Sequence, residues 1–433
     1  MMKCDRILLD LTTSYRWQGR NATGIIRTER EIGSRMLKDQ TIEVIPILFL
    51  EGEFREISKK YALNIIKNCQ VNAMEIPKKN TKGRAIQRVI LRMIKRILPA
   101  LVISKIKTVR NRNAPKEKVS ELSLELKNNS AALNPKRGDL LFISGLGWEV
   151  FDYKILSLLK KKTDMKIASF IYDLIPVLFP ELMGGDYKDF FFDYFQNMAK
   201  INDIVFCISK CTQNDFIEFC SSRGMEIPKT KVITLGSNVT ILHDIIEIDQ
   251  IGHLVEHKET KFALTVGTFE IRKNYKLLLD AWSDLCKDNE FNMNLIIVGM
   301  PGWKSEESIR KLKRSKLYNT RIYWYENLSD SGLSWLYNAC QVFVYPSLYE
   351  GWGLPIVEAL IHMRPAIISN RGAIPEAGMG LCTVVDPDDF EEWKHLMRVY
   401  SRREKEEKQY DIEFPSWDDT ASIVAKELMN IEV

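Results

Sequence analysis

At 433 residues the chain exceeds what one ordinary core organises, so two domains are expected. Its 45% hydrophobic and 27% charged residues exclude the disordered and fibrous classes, and a net charge of +5 over this length names no partner by itself. No apolar run reaches the ~18 residues of a membrane span, and eight scattered cysteines, several inside apolar runs such as Val205-Phe206-Cys207, fit buried thiols of a cytoplasmic protein better than a disulfide framework.

Cys4 to Leu9 reads as a strand ending at Asp10. After a polar stretch, Gly24 leads into an amphipathic helix with Ile32 and Met36 on one side. Strand, glycine loop and helix open a Rossmann-like unit. Further strands are expected at Val44–Leu50, Leu140–Ile143, Ile167–Ile171, Ile204–Ile208 and Val232–Leu235, with helical patterns between several of them. Residues 1–240 therefore read as an α/β domain with a mainly parallel sheet.

Residues 78–118 break that rhythm, with fourteen Lys/Arg and a single acid, Glu117. Ile86, Val89, Ile90, Met93, Ile94, Ile97 and Leu98 make one apolar stripe at helical spacing, opposite Arg84, Arg88, Arg92, Lys95 and Arg96. Such a helix suits either a core-packed position with a solvated basic face or the surface of an anionic membrane. The missing acids favour the membrane, with residues 84–112 as the contact. Nucleic acid is not expected, because the segment has no aromatics for stacking.

Residues 241–260 read as a linker to a second strand–helix system over 261–415, followed by a helix in 416–433. Strands are expected at Phe262–Gly267, Leu295–Gly299, Arg321–Tyr325, Val342–Tyr345, Ala366–Ser369 and Leu381–Val385, with helices including Lys276–Trp282 and Leu333–Ala339. Two doubly wound domains leave a cleft between the carboxyl ends of their strands, where ligands bind.

The chemistry concentrates in VYPSLYEGWGLPIVEAL, residues 344–360. A strand delivers a loop containing Gly351 and Gly353 to a helix whose first position suits Pro355. Free N–H groups there favour an anion. Glu350 in the loop and Glu358, expected in the first helical turn, are wasteful beside a phosphate unless they bind hydroxyls of the same ligand. Phosphate and hydroxyls together indicate a nucleotide-sugar. Arg272 and Lys273, just after Gly267-Thr268 at a strand end, are suited to neutralising a diphosphate as its bond to the sugar breaks. Asp173, in IYDLIP, reads equally as a strand-end turn residue or as a group that orients sugar or acceptor. Asp386-Pro387-Asp388 has metal-binding spacing but follows the last strand, where Pro and Asp mark a turn, and no metal is expected. Cys207 and Cys211 have no partners that would complete a zinc set.

The segments VGTFEIRKNYKLLLDAW, LIIVG, ENLSDSGLSWLYNACQVFVYPSLYEGWGLPIVEAL and RPAIISNRGAIPEAG resemble family 4 glycosyltransferases of the GT-B fold. The likeness is strong over about residues 262–390 and looser in the N-terminal half. Glu350 and Glu358 match that family's E-x7-E motif. The resemblance implies that Glu350 contacts the donor sugar, Glu358 the ribose, and the backbone of Gly351, Trp352, Gly353 and Leu354 the sugar and diphosphate. It likewise gives the diphosphate to Arg272 and Lys273, near Gly267, with Gly24 approaching from the other domain. It implies retention of the anomeric configuration, with the leaving phosphate taking the acceptor proton, and no cofactor beyond the nucleotide-diphosphate sugar. Where many relatives have His before this Asp, the chain has Tyr172. The segment RNATGIIRTEREI resembles a subgroup that builds bacterial surface polysaccharides, which implies Arg20, Thr23, Arg27 and Glu31 at the cleft. Salt-bridged helix charge is the plainer reading of Glu31. Trp148, with Glu149 and Phe151, is expected on the acceptor side, alongside Arg20 and Tyr172. The expected function is transfer of a sugar to a growing, lipid-linked glycan at the inner membrane face. A sugar-nucleotide epimerase, a phosphorylase or a non-catalytic scaffold of glycan assembly are the alternatives.

Overall fold

The computed structural model describes residues 6–19, 24–50, 52–67, 126, 129–185, 187–237, 261–405 and 408–432. The basic segment 78–118, the linker 241–260, Arg20 and Thr23 lie outside the described residues, and so do the readings that fall on them.

The N-terminal sheet contains β1 (Arg6–Asp10), β2 (Val44–Leu50), β3 (Glu53–Ile57), β4 (Ser130–Ala132), β5 (Asp139–Ile143), β6 (Lys166–Ile171), β7 (Ile204–Cys207) and β8 (Lys229–Val232). Its order is β4-β3-β2-β1-β5-β6-β7-β8. From β2 to β8 the strands are parallel, while β3 and β4 extend the edge antiparallel. β1 is buried on both faces, Ile7 and Leu9 entering one core cluster and Leu8 the other, as a central parallel strand requires. The expected strand at Val232–Leu235 forms three residues earlier, where Lys229–Val232 pairs with β7.

The second sheet contains β9 (Phe262–Val266), β10 (Asn294–Val298), β11 (Ile322–Tyr325), β12 (Val342–Tyr345), β13 (Ala366–Ser369) and β14 (Thr383–Val385). It is wholly parallel in the order β11-β10-β9-β12-β13-β14. That order reverses between β9 and β12, and the N-terminal sheet reverses between β1 and β5. Crevices form at such reversals, outside the carboxyl ends of the strands. Both crevices open toward the same place, so the fold is two Rossmann-like domains facing across a cleft.

The helix Trp417–Met429 returns to the N-terminal domain. Its start carries a capping box between Ser416 and Asp419. Thr420 donates to the Thr234 carbonyl at 2.9 Å, Asp418 pairs with Arg35 at 2.8 Å, and Glu427 pairs with Lys229 and Lys231. Trp417, Val424 and Leu428 join the core cluster of Ile32 and Met36. The chain therefore crosses between the domains twice.

Candidate active site

β9 ends at Val266 and the chain turns at Gly267, whose φ is +154°. A single 3-10 turn, Ile271–Lys273, follows, and Asn274 in the left-handed region starts the helix Tyr275–Leu285. This turn places Arg272 and Lys273 at the strand end. The loop after β12 lies against it, with Leu348 N–H donating to the Arg272 carbonyl at 2.8 Å. Arg272 donates to the Tyr349 carbonyl at 3.0 Å and to Glu270 at 2.6 Å, and forms an ion pair with Glu350. Lys273 donates to the other Glu350 oxygen at 2.6 Å and to the Tyr345 hydroxyl at 2.6 Å. Tyr345 completes the set by donating to Glu350 at 3.2 Å.

Glu350 is only 8% exposed and Lys273 9%. Burial pushes the Glu350 carboxyl up, but Arg272 and then Lys273 outweigh it and bring it to about 2. The group is thus a carboxylate at any physiological pH. It can accept hydrogen bonds and cannot donate a proton. The same burial lowers the Lys273 ammonium, with Glu350 opposing it.

Glu358 is the fifth residue of the helix Leu354–Ile361, not in its first turn as the spacing suggested. Pro355 is second and Gly353 takes the N-cap, because the turn ends one residue earlier than Pro355 alone implies. One Glu358 oxygen accepts from Tyr337 at 2.9 Å, and the other from Arg27 at 2.8 Å. Arg27 belongs to the helix Ile25–Lys38, so this ion pair bridges the domains. Gly24 is the N-cap of that helix at φ +49°, a conformation that suits glycine. Glu31 pairs with Arg35 at i,i+4, which is the helix-charge reading.

At Gly351 the backbones of the two domains approach closely. A Cβ there would lie 1.8 Å from the Tyr172 carbonyl oxygen, so only glycine fits. Thr212 Oγ1 lies 3.3 Å from both the Tyr172 and Gly351 carbonyls. Asp173 sits beside this contact, partly buried, with one oxygen accepting from Ile175 N–H at 3.1 Å as in a turn. Burial raises its pKa and the Arg272 charge opposes that. Trp352 is buried, with an indole N–H that has no hydrogen-bond partner, and Leu354 is partly buried.

The acceptor-side expectations separate. Tyr172 is buried, stacks on Phe170 and donates its hydroxyl to the Ser144 carbonyl at 2.5 Å, so its backbone rather than its ring faces the other domain. Trp148 packs edge-on against Phe191 and Tyr194. Asp386 and Asp388 both pair with Arg371 at 2.9 Å, and Asp386 accepts from Asp388 N–H as in a turn. Among the described residues no group of three or more His, Cys, Asp or Glu is placed to hold a metal ion.

Sequence reasoning did not single out Tyr345, Tyr337, Glu270 or Glu376. Glu376 accepts from the N–H groups of Lys210 and Cys211 at 2.8 and 2.7 Å, capping a helix of the opposite domain. Tyr345 had a usable signal, since it is the last residue of β12 and so points into the crevice. The others meet their partners only through the fold.

Buried carboxyls also occur beneath the cleft in the N-terminal domain. Asp10, at the end of β1, accepts from Thr12 N–H at 3.1 Å, and Glu29 accepts from Ser14 N–H at 2.6 Å. Burial, and then the charge of Asp10, raise Glu29 to about 8, while burial raises Asp10 to about 6 against the Thr12 hydrogen bonds.

Residues 247–411 match the family described as glycosyl transferases group 1. The match covers the second sheet and its helices. The chain is 38% identical over 133 residues to O-antigen chain mannosyltransferase B of Escherichia coli, covering 30% of this chain and 34% of that one. It is 27% identical over 241 residues to the serotype-specific mannosyltransferase WbdA of Escherichia coli, covering 54% of this chain and 29% of that one. The matches thus span about a third of these relatives' length. Anabaena HepE, solved with UDP and glucose, shares the fold at a TM-score of 0.57 and 14% identity over 99% of this chain and all of that one. The two-domain arrangement is therefore the GT-B fold.

Proposed function

We propose that the protein is a retaining mannosyltransferase that moves a hexose from a nucleotide-diphosphate sugar to a growing, lipid-linked glycan. The observation that carries this reading is the buried Glu350 carboxylate held between Arg272 and Lys273 at the cleft. Cations at that position are suited to the diphosphate, and an ionised acid that cannot give up a proton is suited to the hydroxyls of the transferred sugar. Glu358 takes the ribose hydroxyls, with Arg27 closing on it from the opposite domain. The bond from the anomeric carbon to the phosphate oxygen breaks as the acceptor oxygen bonds to the same carbon. The acceptor proton passes to the leaving diphosphate, whose negative charge Arg272 and Lys273 stabilise. No metal is invoked. The names of the relatives support mannose and an O-antigen type of glycan.

The test incubates the protein with GDP-mannose, UDP-glucose and dTDP-rhamnose in turn, with octyl α-mannoside as acceptor, and assigns the product linkage by NMR. Glu350→Ala and Lys273→Ala are each expected to lower turnover by at least about a hundredfold, with circular dichroism unchanged. Near-normal turnover in either variant would remove the site. Conversion of a donor without any acceptor would favour the epimerase instead.

The proposal places the protein on the inner membrane face through residues 84–112, because that segment is basic and has an apolar stripe. No described helix is long and apolar enough to cross a membrane. Deletion of residues 84–112 is expected to abolish co-sedimentation with phosphatidylglycerol vesicles; equal pelleting with and without the segment would refute the attachment.

A further inference from the structure

Three large aromatic side chains stand in the open at one end of the cleft. Trp303 is 48% exposed, Tyr187 46% and Phe190 51%. Rings of this size are normally the most valuable residues to bury, so an exposed group of them on a folded surface points to a ligand.

They are held in place and come from both sides of the cleft. Trp303 lies in the loop after β10, and Tyr187 and Phe190 lie at the start of the helix Lys188–Ile201 of the N-terminal domain. The indole rests on Gly184, where a Cβ would approach it to 2.7 Å, and the Tyr187 ring rests on Gly185 at the same distance. Side chains at either glycine would lift the rings off the backbone. The Trp303 and Tyr187 rings are near-parallel, 6.0 Å apart at 24°. Lys304 ties the two loops together by donating to the Glu181 carbonyl at 2.6 Å. Phe190 lies in the first turn of the helix Lys188–Ile201, three residues after its N-cap Tyr187. It meets Phe191 edge-on at 5.2 Å, and Phe191 in turn meets Trp148.

The patch is continuous with the cationic site. The Trp303 carbonyl accepts from Ile271 N–H at 3.3 Å, one residue before Arg272, and the neighbouring Gly302 N–H donates to Phe269 at 2.8 Å. The exposed charges flanking the rings in the chain show no cationic excess, with Lys188 and Lys304 against Glu181, Asp189, Glu306 and Glu307. An anionic bilayer would call for a cationic surround, and a protein partner for aliphatic surface between the rings. Separate ring faces among polar groups suit a neutral sugar chain, because one face of a pyranose is a layer of C–H groups that packs on a π surface while its edge hydroxyls reach polar neighbours.

We propose that Trp303, Tyr187 and Phe190 form a docking platform for the pyranose rings of the acceptor glycan, several sugars back from the end that is extended. The proposal rests on the transferase reading above. It predicts that the platform matters for long acceptors and not for short ones.

The test compares Trp303→Ala and Tyr187→Ala with the unmodified protein, using GDP-mannose and methyl α-mannoside, α-mannotriose or α-mannohexaose as acceptors. For the hexasaccharide, KM is expected to rise about tenfold in each variant. For methyl mannoside, KM, kcat and the donor KM are expected to stay as they were, and Trp303→Phe should recover part of the hexasaccharide affinity. An equal effect on all acceptors, or none, overturns the platform. If no transfer occurs at all, the transferase reading fails, and saturation-transfer NMR of α-mannohexaose then tests the platform alone. Binding that Trp303→Ala weakens supports it; absent binding, or binding unchanged by that variant, overturns it. A loss of phosphatidylglycerol vesicle binding in Trp303→Ala with hexasaccharide binding intact would assign the patch to lipid and overturn it also.

Discussion

At the scale of single residues, buried charge is used in two opposite ways. Glu350 is buried among cations and stays ionised, whereas Glu29 is buried near another acid and is pushed toward its neutral form. The second arrangement has a consequence for stability. In the unfolded chain Glu29 returns to the ordinary value near 4.5, so between that pH and about 8 the folded state holds the extra proton. Stability linked to this group is complete below pH 4.5 and is lost as pH rises through 8, with a slope of at most about 1.4 kcal/mol per pH unit. Glu29→Gln is expected to flatten the fall in Tm between pH 5 and 8.5 and to raise Tm at the upper end. A Tm profile identical to that of the unmodified protein would mean that Glu29 is ionised in the fold.

At the scale of elements, the helix Lys210–Ser221 has its first turn capped from two sources. Ser209 takes the Thr212 N–H from within, and Glu376 takes those of Lys210 and Cys211 from across the cleft. The same helix meets the other domain again where Asp215 accepts from Tyr349 at 2.7 Å. A cap of this kind contributes about 1 kcal/mol, but here it also fixes how the domains meet. Glu376→Ala is expected to lower Tm slightly and to increase the radius of gyration in X-ray scattering, with Glu376→Gln intermediate. Unchanged scattering would show that the domains are held elsewhere.

Elements differ in how far the sequence announces them. The parallel strands were legible because they are short apolar runs, and β12 and β13 begin and end where the pattern places them. β3 was missed because Glu53, Arg55 and Glu56 break up its apolar pattern, and β4 because three residues make no pattern. Among the candidate site residues, Arg272, Lys273 and Glu350 could be expected together since glycines and a proline punctuate both loops. The Arg27–Glu358 bridge and the Glu376 cap could not, because a pair separated by 331 or 166 positions leaves no local trace. The exposed ring of Trp303 is silent for the same reason: exposure belongs to the fold.

At the scale of the whole molecule, the two sheets meet through the loops at their carboxyl ends, and a single apolar cluster runs from Ile7 and Leu9 through Tyr172 and Trp352 to Phe343 and Ile356. Opening the cleft therefore disturbs packing as well as ion pairs, so the energy of closure is shared among Gly351, the Glu358 bridge and the Glu376 cap.

The return of the helix Trp417–Met429 also sets an order in time. Gly236 packs so closely on the Trp417 backbone that a Cβ there would lie 2.2 Å from its nitrogen. Yet Trp417 leaves the ribosome about 180 residues after Gly236. At about 5–20 residues per second this is a wait on the order of ten to forty seconds. Throughout it the helix Ile25–Lys38 lacks its covering layer, and by its end the later-made second domain has all its strands through Val385. The half of the molecule that is synthesised first is thus the half that finishes folding last, and it is the half a nascent-chain chaperone would have to shelter.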